Sequence, residues 1–483
     1  MATKPNNLYG RTVIYTSAEE IDSNNVADIL ETALSIHQAN VTQIDYLYQY
    51  YKGETDILER TKDIRDDILN QINENRAKEI VDFKTSYLVG SPVVYSTPTD
   101  EHSDAVNMLN QFMRIEGKST KDYSLIEWQM IAGTSYRAIL PKETDEYEEG
   151  ECPFTIDTVD PRNAYVIYTN DIHRKPKACV YTITDSDDVT WNWVYTKDKC
   201  FVINDAEDGI ETKDWTLGYL PIIEYPANNA RLGAFEVVID LLNAINNLDS
   251  NRMDGIEQFI QALLVLVNCK LPEGYTATTV AQNGLIELVS NADNPAKVEI
   301  LTQQLDQQQT QTLKEDLYNA VLTICAMPNR NGGSSTSDTG IAVIYRDGWS
   351  SAESARRTSQ QMFIQSEYDA LRLMLRILSE TGTLEIPLVN LNIDFTQDHY
   401  ENLATKTEVL IALLNNDKVH PLTAYEVCGM FADPNARFKA GMAWYESVNG
   451  NNAVANTVAE DETEVTVTDE ADGADITELS TTV

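Results

Sequence analysis

Few side chains in this chain are spaced for chemistry, and the first candidates are carboxylates. Asp157 and Asp160 could carry metal-assisted phosphodiester chemistry. Asp185-Ser186-Asp187-Asp188 could bind a divalent cation, but the ligand spacing of a calcium loop is missing, so the run reads as a solvated hairpin turn. With 76 Asp and Glu in the chain, acidic pairs arise freely and weigh little. The Gly/Ser-rich run Gly332, Gly333, Ser334, Ser335, Thr336, Ser337 invites a phosphate-cradling reading. No G-x-x-x-x-G-K-[ST] occurs there or elsewhere, and no lysine follows. H-E-x-x-H and G-x-S-x-G are also absent. The six cysteines (Cys152, Cys179, Cys200, Cys269, Cys325, Cys428) form no C-x-x-C pair and stand apart from the five histidines, so buried thiols in a reducing compartment are expected. These residues predict no enzyme, no cofactor and no metal site. A metal-dependent phosphodiester hydrolase would rest on acidic pairs such as Asp157 with Asp160.

The elements that would position such residues are legible in the periodicity. A chain of 483 residues suggests two to four domains. Asn25 to Tyr51 reads as a helix with Ile29, Ala33, Ile36, Ile44 and Leu47 on an apolar side. Asp56 to Val89 adds helix, ended by Gly90 and Pro92. From Val93 to Tyr225 the signal reads as mainly β, interrupted by the acidic loop Glu143 to Glu151. Two helices follow, Ala234 to Leu266 and Asp306 to Met327, with a polar break at Asp249–Asp254 in the first. They bracket a small turn-rich insert, Asn268 to Leu305. Ser350 and Glu353 form a capping-box pattern ahead of a helix reaching Glu380, and Leu388 to Phe395 reads as one more strand. Tyr400 to Val448 is helical, while Asn451 to Val483 has no Lys, Arg or aromatic residue and reads as a disordered acidic tail. Met1 to Gly10 is polar and Phe259 to Val267 is too short to span a bilayer, so a soluble chain made in the cytoplasm is expected.

Charge narrows the function. The formal net charge is −40, from 36 basic and 76 acidic residues, which argues against a general nucleic-acid binder with a basic surface.

Five motifs occur in an order that resembles tailed-bacteriophage portal proteins. Tyr51-Lys52-Gly53 precedes Asn73 to Tyr95, a helix, a Gly-Ser-Pro turn and a strand. Gly133 to Arg137 opens a β-rich part in which Asp160-Pro161 leads to Ala164-Tyr165-Val166-Ile167-Tyr168. Gly218 to Tyr225 closes on Asn228-Asn229. Asn329 to Tyr345 joins a Gly/Ser-rich loop to a Gly-apolar-Ala-apolar segment. Asn390 to Asp394 precedes Leu403 to Glu446. The resemblance covers roughly residues 40 to 449. One departure stands out: the basic residues expected after Ala342 are reduced to Arg346, followed by Asp347.

The resemblance implies an α+β portal fold in a ring oligomer. It assigns residues 1–24 to a flexible N-terminus and 25–233 to a mixed α/β wing. Stem helices over 234–267 and 306–327 flank a small αβ clip at 268–305. A tunnel loop over 328–340 returns to the wing at 341–397; a helical crown (398–450) and the acidic tail (451–483) follow. By the same resemblance Asn329, Arg330, Asn331, Gly332, Gly333, Ser334, Ser335, Thr336, Ser337 and Arg346 would face DNA. Glu273, Gly274, Tyr275, Asn283 and Glu287 in the clip would face a terminase or adaptor. Implied partners are further copies in a twelvefold ring, double-stranded DNA held non-specifically, the terminase large subunit, the major capsid and scaffolding proteins, and a head-completion or tail adaptor, with no membrane. The implied location is the capsid vertex of the virion, and the host cytoplasm during assembly. An acidic bore would repel duplex DNA, which carries about one negative charge per 1.7 Å, and so let it slide. A scaffold or adaptor would be smaller or heptad-dominated.

Overall fold

A computed structural model describes residue 5 and residues 8–460, apart from 64–65, 99, 144, 149, 206–208, 261–262, 268–296, 302–306, 330–347, 396–402 and 432–433. The chain divides into two units, Met1–Thr396 and Gln397–Val483.

In the first unit, strand β1 (Ile14–Thr16) precedes helix α1 (Val26–Lys52), which buries Val26, Leu30, Ala33, Ile44 and Leu47 at three- and four-residue spacing. Gly53 ends it at φ +99, donating its N–H to the carbonyls of Gln49 and Tyr50. Helix α2 (Arg76–Val89) is capped by Asn75, whose side chain accepts from the Lys78 amide. Gly90 ends it in a right-handed conformation, with Pro92 preventing continuation. Strand β2 (Val93–Ser96) follows.

After β2, the span expected to be mainly β runs into two helices, α3 (Ser103–Ile115) and α4 (Lys118–Ala132). Val106, Leu109, Phe112 and Met113 are buried on the first, and Leu125, Ile126, Gln129 and Met130 on the second. That 3-and-4 spacing was present in the sequence and outweighs the strand-forming residues around it.

The β-rich part is then built from β3 (Thr134–Pro141), β4 (Phe154–Val159), β5 (Ala164–Thr169), β6 (Pro176–Thr184), β7 (Thr190–Tyr195), β8 (Lys199–Asn204), β9 (Ile210–Asp214) and β10 (Ile222–Pro226). A six-stranded sheet runs β1-β5-β6-β7-β8-β9, with β1 parallel to β5 and the others antiparallel. A three-stranded sheet runs β10-β3-β4.

Helix α5 (Ile239–Ile260) leads to strands β11 (Leu263–Val267) and β12 (Lys297–Leu301), then helix α6 (Gln307–Ile324). The helix expected to reach Leu266 therefore stops at Ile260. Leu263–Val267 pairs antiparallel with Lys297–Leu301 instead. A short run of Leu and Val has no period that separates strand from helix.

Helix α7 (Trp349–Glu380) starts from Gly348 at φ +83, and no side chain caps it. The expected capping box does not form, because Glu353 turns to Arg356, Arg357 and Tyr87. The expected strand over Leu388–Phe395 splits into a 3-10 turn, Leu388–Asn390, and β13 (Asn392–Phe395), which pairs with β2.

The main core gathers α1–α4, the start of α5 and the broad face of α7, where Phe363, Leu371, Leu373, Met374 and Leu378 are buried. Each such side chain contributes about 1.5–3 kcal/mol. A second core lies between α1 and the six-stranded sheet, from Ile14, Leu30, Tyr165, Val180, Val194 and Phe201.

The second unit holds α8 (Leu403–Leu414), α9 (Pro421–Cys428) and α10 (Pro434–Glu460). His420 Nδ1 accepts from the Leu422 amide and so caps α9, with Pro421 at its first position. Helix α10 runs on to Glu460, past the expected start of the acidic tail at Asn451. Residues 461–483 lie outside the described residues.

Candidate functional site

The hairpin of α5 and α6 is the element the sequence singles out, and its geometry follows from a polar stripe. Asp249 meets Lys314 at 2.8 Å and Arg252 meets Gln311 at 2.8 Å. Partner numbers fall as residue numbers rise, so the helices are antiparallel. On another face of α5, Asn243, Asn246, Ser250 and Asp254 recur at helical spacing. Asn246, Ser250 and Asp254 accept the backbone N–H groups of Glu74 (2.9 Å), Ile72 (2.9 Å) and Asn70 (2.8 Å) in turn. An extended segment is thereby zipped along the helix, every second amide meeting one helical turn. The zipper satisfies backbone donors of a partly buried segment that has no strand or helix of its own to pair them. Asp254 also takes Arg60 at 3.0 Å and Lys62. Burial pushes its carboxyl up, but Lys62, Asn70 and Arg60 outweigh that and hold it below the ordinary aspartate value. The polar break noted at Asp249–Asp254 is thus a docking face. Met253 and Ile256 on α5, with Leu313 and Ile324 on α6, leave apolar surface exposed.

The root of the hairpin is locked at Glu236. Its Oε1 accepts from Arg11 Nη2 at 2.6 Å and from the Gly10 amide at 3.1 Å, and its Oε2 from the Gly233 amide at 2.8 Å. Next to it, Gly133 sits at φ +78, and a Cβ there would fall 2.0 Å from the Arg231 carbonyl oxygen. Only glycine allows the α4–β3 turn to pass that close to the root.

A buried ionic cluster ties α7 to the rest of the first unit. Glu367 is fully buried. It receives Arg137 Nη1 at 2.9 Å, Lys118 Nζ at 3.0 Å, and the hydroxyls of Tyr95 and Tyr225 at 2.6 Å each. Asp122 closes the cluster by pairing with Lys118 at 2.7 Å and with Arg137. Burial pushes the Glu367 carboxyl up, but the charges of Arg137 and Lys118 and the two tyrosine hydrogen bonds win, holding it down to about 2.

The expected site residues fall unevenly. Of the DNA-facing set, Asn329 is placed just beyond α6, its amide donating to Asn319 Oδ1 at 3.1 Å. Arg330, Asn331, Gly332, Gly333, Ser334, Ser335, Thr336, Ser337 and Arg346 lie outside the described residues, as do Glu273, Gly274, Tyr275, Asn283 and Glu287. The two ends of the 330–347 segment are nonetheless adjacent. A Cβ on Gly348 would stand 3.6 Å from the Met327 oxygen and 3.7 Å from Pro328 Cα, so the chain leaves and returns at one point beside the hairpin base.

Asp157 and Asp160 each stand beside a cation. Asp157 is 3.5 Å from Lys121, and Asp160 is gripped by Arg162 Nη2 at 2.6 Å. Asp185 spends its Oδ1 on the amides of Asp187 (2.9 Å) and Val189 (3.0 Å) in its own hairpin turn. No cluster of potential metal ligands occurs among the described residues. Cys152, Cys179, Cys200, Cys325 and Cys428 are free and buried, and Cys269 lies outside the described residues. Burial pushes the thiols of Cys152 and Cys325 up to about 11. Lys118, Asp122 and Glu367 were not singled out in the sequence, and Arg137 stood out only as the end of the Gly133–Arg137 motif. The available signal was Glu367, a carboxylate between Ile364, Tyr368 and Leu371 on a wide apolar stripe.

No helix among the described residues is long and apolar enough to cross a membrane. No curated protein matches the chain. Among solved structures, a chain of the "Neck of native GTA particle computed with C12 symmetry" is similar at 10% identity and a TM-score of 0.43, over 73% of this chain and 89% of that one. The family described as "Phage portal protein, SPP1 Gp6-like" matches residues 30–447. With that match running from α1 to α10 over a mixed α/β chain, the protein belongs to the SPP1 Gp6-like family of phage portal proteins.

Proposed function

We propose that copies of this chain close into a ring, twelvefold by analogy with the family, at one vertex of the capsid, and that double-stranded DNA enters and leaves the head through its bore. The observation that carries this reading is the family match over residues 30–447. The α5–α6 hairpin supports it as the stem, with β11 at the end of the 234–267 span and β12 inside the 268–305 clip. Its exposed Met253, Ile256, Leu313 and Ile324 are surface that neighbouring copies would cover. The chain supplies a gate and no chemical step. A terminase hydrolyses nucleotide and drives the DNA, and a head-completion or tail adaptor later holds the clip. Major capsid and scaffolding proteins surround the ring as the head assembles in the host cytoplasm.

The segment leaving at Asn329 and returning at Gly348 would contact DNA weakly, through hydroxyls and backbone amides. Replacing Gly332–Ser335 by a rigid sequence, or deleting it, should leave assembly intact and lower the yield of packaged DNA by at least an order of magnitude. The readout is nuclease-protected DNA per assembled head. A normal yield removes the loop from the mechanism.

A further inference from the structure

On a chain of net charge −40, one groove is basic. It has a volume of about 1000 Å³ and lies among β1, β5, β10 and α7. Val166, Leu220 and Ile222 are among the apolar groups lining it. Arg174, Lys175 and Lys197 add positive charge, and the first two belong to the run His173-Arg174-Lys175-Pro176-Lys177. The groove's two carboxylates are already spent: Glu224 on Arg231 at 2.6 Å, and Asp369 on Arg372. Arg174, Lys175 and Lys197 have no carboxylate partner among the described residues. The turn that carries the first two is fixed, because Asp171 Oδ1 accepts the amides of His173 (2.8 Å) and Arg174 (2.9 Å). Arg174 also lies over the Tyr15 ring at 5.6 Å. Arg174 is therefore placed in advance of any ligand, and Lys175 follows it on the same fixed turn.

The opposite imbalance sits on the β3–β4 loop. Glu143, Asp145, Glu146, Glu148 and Glu151 flank Tyr147 along the chain. Among the described residues none of these carboxylates is in an ion pair; Glu146 and Glu151 cap amides of their own loop at 2.9 and 3.0 Å. The loop thus offers acids in no ion pair beside one aromatic residue, of which Glu151 alone feels the charge of Lys142, and the groove offers bases without a carboxylate partner around an apolar floor.

We infer that the groove receives the 143–151 loop of a neighbouring copy, with Tyr147 against the apolar floor and the acids against Arg174, Lys175 and Lys197. The inference rests on the ring reading above and names one of its contacts. A head-to-tail ring joins two different patches of adjacent copies, which is what this pair of surfaces provides. A concave, partly apolar groove suits a side chain better than the convex phosphate ridge of duplex DNA. The contact also offsets part of the self-repulsion that such acidic copies carry into assembly, and it weakens as salt rises.

The test uses the full chain, by sedimentation velocity and light scattering at moderate ionic strength. Lys175→Glu with Lys197→Glu, or Glu146→Lys with Glu148→Lys, should each raise the concentration of half-assembly about tenfold, as like charges across a contact do. All four together should return it close to the wild-type value. If the groove variant does not fold, judged by its thermal melt, the loop variant reads the same contact from the other side. Wild-type rings with an unchanged threshold in the variants, or a fourfold variant worse than either pair, overturn the groove assignment and leave the ring. A wild type that stays monomeric throughout overturns the ring reading. Duplex DNA bound by the wild type and lost in the groove variant, with assembly unchanged, gives the groove to nucleic acid and overturns the inference.

Discussion

Glu367→Gln is expected to cost roughly 3–5 kcal/mol of folding stability. The wild-type cluster balances two cations, Lys118 and Arg137, against two carboxylates, Glu367 and Asp122, with all four buried. Glutamine keeps the shape but removes one charge, leaving a buried cation uncompensated where water cannot reach it. The effect has a pH signature. The Glu367 carboxyl is held down to about 2, against an ordinary value of 4.5. A lowered carboxyl contributes fully above the ordinary value and loses its contribution as pH falls from there toward the lowered one. Wild-type stability should therefore drop across that acidic window, and the variant should drop less steeply. Urea unfolding at neutral pH and at points below pH 4.5 measures both. A cost under about 1 kcal/mol with an unchanged acid slope would show that the cluster does not hold α7.

The second large effect is at Gly133, where alanine should cost about 2–5 kcal/mol, combining a left-handed backbone penalty with overpacking. The added Cβ would fall 2.0 Å from the Arg231 oxygen and 2.4 Å from its carbonyl carbon. Both are backbone atoms, so the 228–236 segment must move. The Gly133 carbonyl takes the Ala227 amide at 3.0 Å, and the Met130 carbonyl takes the Ala234 amide at 2.7 Å, so displacement reaches the root of α5. Gly117 is the control: it too has positive φ, +64, but nothing stands within 4 Å of a Cβ there. Gly117→Ala should cost only about 1–2 kcal/mol. Thermal melts of the two variants decide the matter. Equal shifts would mean that the close approach at Arg231 is soft.

What could be read in the sequence follows the length and regularity of each signal. The long stripes of α1 and α7 were legible because many residues repeat one period. The shorter stripes of α3 and α4 were lost among aromatic and β-branched neighbours, although Leu109, Phe112 and Leu125, Gln129 carry the helical spacing. Leu263–Val267 was read as helix because a short apolar run suits either structure. The capping-box pattern at Ser350 failed because Glu353 had stronger partners in two arginines. The order of motifs pointed to the family. The residues that hold the fold's polar interior did not announce themselves, since Lys118, Asp122, Arg137 and Glu367 come together only in three dimensions. The zipper of Asn246, Ser250 and Asp254 onto residues 70–74 was visible only as an interruption of an apolar stripe.

The account depends on many copies closing around a bore. Single-particle images of the purified full-length chain test this most directly. They should show annular particles with a central opening and cyclic symmetry. A uniform population of solitary globules, at concentrations and salt where family members would close, contradicts it.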